Sequence, residues 1–214
     1  MIKAIIFDLD GVIIESAEIK TKAFELLFAD HPDDVEKIVE YHKINAGLSR
    51  YIKFRHFYEK ILGQELSSQK ETELGGRFSQ IVLDEILKAP LVPGVIEFLE
   101  RNKMSYYFFI ASGTPQEELD NIVTHRKLNH FFREIYGSPK PKDEIIEDIL
   151  SRYSLKREEA AFIGDAESDR DSAGRVGILF IARIVPGDNH LKDCRWKIDD
   201  LTGLDIILNT MSAS

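Results

Sequence analysis

The chain has 214 residues, 43% of them hydrophobic, with Lys+Arg at 28 against Asp+Glu at 37 and a formal charge of −9. That length and apolar content suit a globular fold of one large domain, or a main domain with a modest insertion. The acidic balance opposes attraction to nucleic acid or anionic lipid, so neither is an expected partner, and an anionic substrate would need local positive charge.

Ala4 to Leu9 is an apolar run that reads as a buried strand and delivers Asp8 and Asp10 into a turn at Gly11. From Ser16 to Pro90 no strand is predicted. Val35, Ile38, Val39 and His42 mark one helix there. Tyr51, Phe54, Tyr58 and Ile61 mark another, and Leu74, Phe78, Val82 and Ile86 a third, whose start is obscured by Gly75-Gly76. An interval this long is too large for a loop, and it predicts a small helical domain over 16–90 inserted into a core of 1–15 and 91–214.

Pro90 and Pro93-Gly94 mark the return to the core, and Val95, Phe98 and Leu99 begin a crossover helix. Ser105 to Ala111, Ala160 to Ile163 and Ile178 to Ile181 read as further core strands, with Ile135-Tyr136 as an additional candidate. Helical spacing recurs in Ile145, Ile146, Ile149, Leu150 and Tyr153, and more weakly over Glu117 to Val123 after Pro115. Alternating strands and helices predict an α/β fold, a parallel sheet covered on both faces. Trp196, Ile198 and Leu201 to Leu208 are expected to close the sheet edge and add a last helix, with Asn209 to Ser214 fraying.

Met104 to Ala111 falls short of the roughly 18 apolar residues a membrane span needs. Cys194 is the only cysteine, so no intrachain disulfide can form. The amino terminus reaches its first strand within a few residues, leaving no room for a secretory signal, and cytoplasmic residence is the default expectation.

The chemistry concentrates where apolar runs end. Asp8 and Asp10 would share a face if strand pairing continued, and crowded acids repel unless a cation lies between them. That points to a hard divalent ion, most simply magnesium, and through it to phosphate. The plainer alternative is a buried strand ending in a polar turn. Ser112, just after the apolar run and beside Gly113 and Thr114, offers a hydroxyl and nearby amides to a phosphoryl oxygen, though Ser-Gly-Thr-Pro is equally a good turn and helix cap. Ala161 to Asp169 presents two acids: Asp165 at a strand end, and Asp169 in the first turn of a helix, where it orients ligands or simply complements the macrodipole. Asn45 to Arg50 places Ser49 and Arg50 at a helix start. The guanidinium there either clamps a second phosphate or a carboxylate, or is solvated with Ser49 as N-cap. His42 and Lys53 read as a helical-face histidine and a surface lysine, with a cleft-facing position as the alternative for either.

Phe7-Asp8-Leu9-Asp10-Gly11-Val12, followed by Glu15-Ser16, resembles the first motif of the haloacid dehalogenase superfamily. Ser112, Gly113 and Thr114 resemble its second motif, and Gly164-Asp165 with Asp169 its fourth. The third is a lysine before a helix: Lys140-Pro141 matches the lysine-proline form, while Lys142 lies nearer the helix start and is slightly favoured. The resemblance spans about Met1 to Ile181, and the helical interval is similar in placement to the cap of phosphoglycolate phosphatases and β-phosphoglucomutases.

This resemblance implies a Rossmann-like three-layer core with an inserted α-helical cap of the C1 type. It implies a magnesium-dependent phosphatase acting on a small phosphorylated metabolite, with Asp8 as the nucleophile that becomes an aspartyl phosphate and Asp10 handling protons. Ser112, Gly113 and Thr114 would bind the phosphoryl group, and Lys142 or Lys140 would neutralise charge. Magnesium would be held by Asp8, the Asp10 carbonyl and Asp165, with Asp169 orienting its ligands. Asp10 sets the chain apart from the superfamily's dehalogenases, which lack that acid, and from its P-type ATPases, which carry threonine. Ser49 and Arg50 resemble the cap segment with which β-phosphoglucomutase holds the far phosphate, so a phosphosugar mutase is the alternative; Gly164, where that enzyme has an acid, weakens it. A catalytically idle binding module is the further alternative. No protein partner is identifiable.

Overall fold

Every residue of the first apolar run is buried because the sheet it joins is covered on both sides. In the computed structural model, which describes residues 1–185 and 190–212, this run forms β1 (Ala4–Phe7). The other strands are β2 (Tyr107–Pro115), β3 (Glu134–Ser138), β4 (Ala160–Gly164), β5 (Leu179–Arg183) and β6 (Lys197–Ile198). They form one sheet of order β3-β2-β1-β4-β5-β6, parallel throughout. The additional candidate around Ile135 is thus β3 at one edge, and the residues near Ile198 close the other. β1 is shorter than its apolar run, because Leu9 leaves the ladder to receive N–H bonds from Ile13 and Ile14 in the turn. β2 is longer, running through Ser112-Gly113-Thr114 to Pro115 with an irregular register against β3.

Between β1 and β2 the chain is helical: α1 (Ala17–Leu27), α2 (Val35–Ile44), α3 (Arg50–His56), prolonged by a π-helical turn over Phe57–Ile61, and α4 (Ser68–Lys88). The helix α1 had no separate sequence marker. The pair Gly75-Gly76 does not delay α4; it lies inside the helix, and a Cβ at Gly75 would sit 2.7 Å from the Tyr51 hydroxyl, so α3 packs there only against glycine. Phe24, Phe28, Phe54, Phe57 and Phe78 form the centre of this unit, with Phe24 and Phe57 edge-on at 5.5 Å and 89°. Its entry and exit run side by side, Glu15 donating to Pro90 O at 3.0 Å and Val92 to Ile13 O at 3.0 Å.

The remaining helices are α5 (Val95–Asn102), α6 (Gln116–His125), α7 (Lys142–Arg152), α8 (Glu167–Val176) and α9 (Leu204–Ser212). Alternation along β1 divides the core: Ala4 and Ile6 face Ile145, Ile149, Ala173 and Val176, whereas Ile5 and Phe7 face the apolar sides of α5, α6 and α9. Asn209 to Ser212 belong to α9, and Ala213 and Ser214 lie outside the described residues. Cys194 is a free thiol, and among the described residues no helix is long and apolar enough to cross a membrane.

Candidate active site

Parallel strands all end on the same side, so β1, β2 and β4 bring their following residues together. Asp8 comes directly after β1 and Asp165 after β4, and Asp169 lies in the first turn of α8. Carboxylate oxygens of these three buried acids lie within 4.8 Å of one another. Gly11 is what permits this approach: its φ is +70°, and a Cβ there would lie 1.9 Å from Asp165 Oδ2.

Lys142 opens α7 and is buried among these acids, its Nζ 2.9 Å from Asp8 Oδ2 and 2.7 Å from Asp169 Oδ1. Burial alone would push its pKa down, but Asp169 and Asp8 outweigh burial and raise it. Burial pushes the Asp8 carboxyl up to about 7, with Asp169 and Asp10 adding to the rise and Lys142 opposing it. Asp165 rises well above the usual carboxylate value through burial and the charges of Asp8 and Asp169. Lys142 pairs with two of three buried carboxylates, and this all-oxygen donor set, crowded enough to raise the pKa values of Asp8 and Asp165, fits a hard divalent cation. Lys140 points elsewhere and pairs with Asp148 on α7.

The Asp10 side chain is not part of this cluster. Its carboxylate accepts from Ser16 Oγ at 2.6 Å, Thr114 Oγ1 at 3.0 Å and the Lys20 ammonium, which also reaches Thr114 Oγ1 at 2.8 Å. Burial pushes its pKa up, yet Lys20 and these hydrogen bonds prevail and hold it below the usual carboxylate value. Ser112 is buried beside them, its Oγ accepting from the Thr114 N–H at 3.1 Å.

The helical unit is closed over these groups. A Cβ at Gly47 would lie 2.2 Å from Asp169 Oδ1, and one at Gly113 would lie 2.7 Å from Gly47 O, so this loop touches the core through glycines on both sides. Beneath it Asp8, Asp10, Lys20, Arg50, Lys53 and Gly113 line a cavity of about 20 Å³, room for a single water. Arg50 donates from NH1 to Ser79 Oγ at 2.8 Å and from NH2 to Glu118 Oε1 at 2.6 Å, and its guanidinium lies 4.4 Å from the Phe78 ring centre. Ser49 occupies the N-cap position of α3, but its side chain makes no capping bond; its Oγ is buried with no hydrogen-bond partner.

Lys53, read as a surface lysine with a cleft-facing position as the alternative, takes the alternative: it is buried and lines the cavity, with Nζ 3.0 Å from His42 Nδ1 and 2.9 Å from Ala46 O. Lys20, Ser79 and Glu118 carried no signal in the sequence reading. For Lys53 one signal existed: it follows Arg50 by one helical turn, so the two share a helix side.

A model of the haloacid dehalogenase-like hydrolase family matches residues 5–183. Among curated proteins, phosphoglycolate phosphatase 1 of Pseudomonas aeruginosa is 23% identical over 200 residues, covering 88% of this chain and 71% of that one. Phosphoglycolate phosphatase of Rhodobacter capsulatus is 27% identical over 195 residues, covering 85% and 84%. In fold the chain is similar to the crystal structure of β-phosphoglucomutase from Clostridium difficile, with a TM-score of 0.78 at 21% identity over 100% of this chain and 98% of that one.

Proposed function

The chain belongs to the haloacid dehalogenase-like hydrolases, and from that premise we propose that it is a magnesium-dependent phosphatase of small phosphorylated metabolites. The single observation that carries this reading is Lys142 held between Asp8 and Asp169, with Asp165 alongside and no other cation reaching the cluster among the described residues. In this reading 16–90 is the cap and the remainder the catalytic core.

Asp8 attacks phosphorus, the bond to the ester oxygen breaks, and Asp10 gives the departing oxygen its proton. Water then attacks the aspartyl phosphate, Asp10 takes the proton back, and the bond to Asp8 breaks to release phosphate. Lys142 and the Ser112-Gly113-Thr114 segment balance charge on the phosphoryl oxygens. Asp8, the Asp10 main-chain carbonyl and Asp165 would hold magnesium, which when bound neutralises phosphoryl charge and settles the repulsion among the acids. The Lys20 contact, by favouring ionised Asp10, suits the step in which Asp10 accepts a proton.

The names of the curated relatives support phosphoglycolate as the first substrate to try. A mutase is the weaker reading, because Gly164 supplies no acid before Asp165 and Arg50 is engaged by Glu118. Phosphate release from p-nitrophenyl phosphate and phosphoglycolate, with magnesium and after chelation, tests the proposal. Release that needs magnesium and vanishes in Asp8→Asn is expected; a well-folded protein inert toward both esters would sink it.

A further inference from the structure

Four cations reach the closed cavity or the acids bordering it, and three of them have carboxylates. Lys142 has Asp8 and Asp169, Lys20 has Asp10, and Arg50 has Glu118. Lys53 has none among the described residues. Its neighbours are a histidine ring nitrogen, a main-chain carbonyl and, 5.6 Å away, the face of Phe24. An ammonium has three donors, and two are used. Burying a charge with no counter-charge costs several kcal/mol, so the position is explained if an anion arrives from the cavity it lines.

Arg50 answers a different need. Its partner Glu118 lies on α6 of the sheet-bearing part, and Ser79 on α4 completes a three-way contact by donating to Glu118 Oε2 at 2.8 Å. Both charged groups are nearly buried. The guanidinium therefore fastens the closed helical unit to the core and leaves little charge to offer a ligand.

We propose that Lys53 is the receptor for a second anionic group on the substrate, a carboxylate a few bonds from the phosphoryl group, and that Arg50 with Glu118 is the latch that closes the unit over it. The inference rests on the phosphatase reading and adds the substrate feature the helical unit selects. Burial and the nearby Lys20 and Lys142 charges pull the Lys53 pKa well below its usual value, against the charges of Asp10 and Asp165, so the site by itself favours the neutral amine and an arriving anion would favour the ammonium.

The test compares phosphoglycolate with ethyl phosphate, which differ by the carboxylate. The wild-type protein should favour phosphoglycolate in kcat/KM by about 10- to 100-fold, the range for one hydrogen bond between charged groups. In Lys53→Met that ratio should collapse toward one; Lys53→Gln, which can still donate to His42 or Ala46, carries the same test if the methionine variant is unstable. In Arg50→Met both rates should fall together with the ratio kept. A wild-type ratio near one, a ratio that survives both Lys53 substitutions, or a ratio lost in Arg50→Met instead would each overturn the assignment. Inactivity toward both esters would overturn the phosphatase reading itself, an outcome distinct from equal turnover of both.

Discussion

Lys142 in the core and Lys53 in the helical unit are buried almost equally, with 6% and 2% of their surfaces exposed, yet their surroundings are opposite. Lys142 sits between two carboxylates and its pKa is raised. Lys53 touches only neutral groups, and its pKa is lowered. The core lysine belongs to a charge arrangement the chain nearly completes by itself. The other is a buried amine with no carboxylate against it, and a site of this kind costs stability in the absence of what it binds.

The sharpest way to break this contrast is at the acid that Lys142 serves. Asp8→Asn should lower turnover by at least about 10⁴-fold, the scale seen when a nucleophile is removed. Its thermal unfolding should stay near that of wild type, because a like charge leaves a crowded cluster; retained magnesium-dependent turnover would contradict the nucleophile role.

Stability then separates the two lysines by sign. Lys142→Met strands buried carboxylates and should destabilise the protein by about 3–5 kcal/mol in denaturant unfolding without magnesium. Magnesium, by substituting for the missing charge, should return part of that loss, and in wild type a concentration near 100 times its Kd should add about 2.7 kcal/mol. Arg50→Met leaves Glu118 buried and should cost about 3 kcal/mol. Lys53→Met removes a buried amine, whose burial is costly whether it sheds its proton or keeps it, at the expense of two hydrogen bonds, and should stabilise the protein by about 1 kcal/mol even as it impairs substrate selection. Destabilisation of Lys53→Met comparable to that of Lys142→Met would erase the contrast.

The smallest effect concerns His42, whose Nδ1 lies 3.0 Å from Lys53 Nζ. Burial, then the charges of Lys53 and Lys20, pull its pKa well below 6.5, so the folded protein refuses a proton that the unfolded chain accepts. Its contribution to stability is therefore present above that value and declines as pH falls below it. Between about pH 7.5 and about pH 5.5, wild type should lose more thermal stability than His42→Gln. Equal losses would mean His42 is not held neutral.

Local pattern made several parts of this molecule legible. Short apolar runs followed by acid or hydroxyl side chains announced β1, β2 and β4, and with them Asp8, Ser112 and Asp165, because a strand buried on both faces must be apolar along its length. The helical interval was visible for a similar reason, since periodic apolar positions mark a helix wherever it packs.

What the amino-acid order determined by itself was the fold class and which strand ends carry acids and hydroxyls, for both depend on neighbours only a few residues away. The tertiary structure alone decided that Lys142 rather than Lys140 reaches Asp8, that Arg50 meets Glu118, 68 positions later, and that Lys53 lies in the interior. Helical periodicity tells which residues share a side, but whether that side meets solvent, a carboxylate or a cavity depends on the element packed against it.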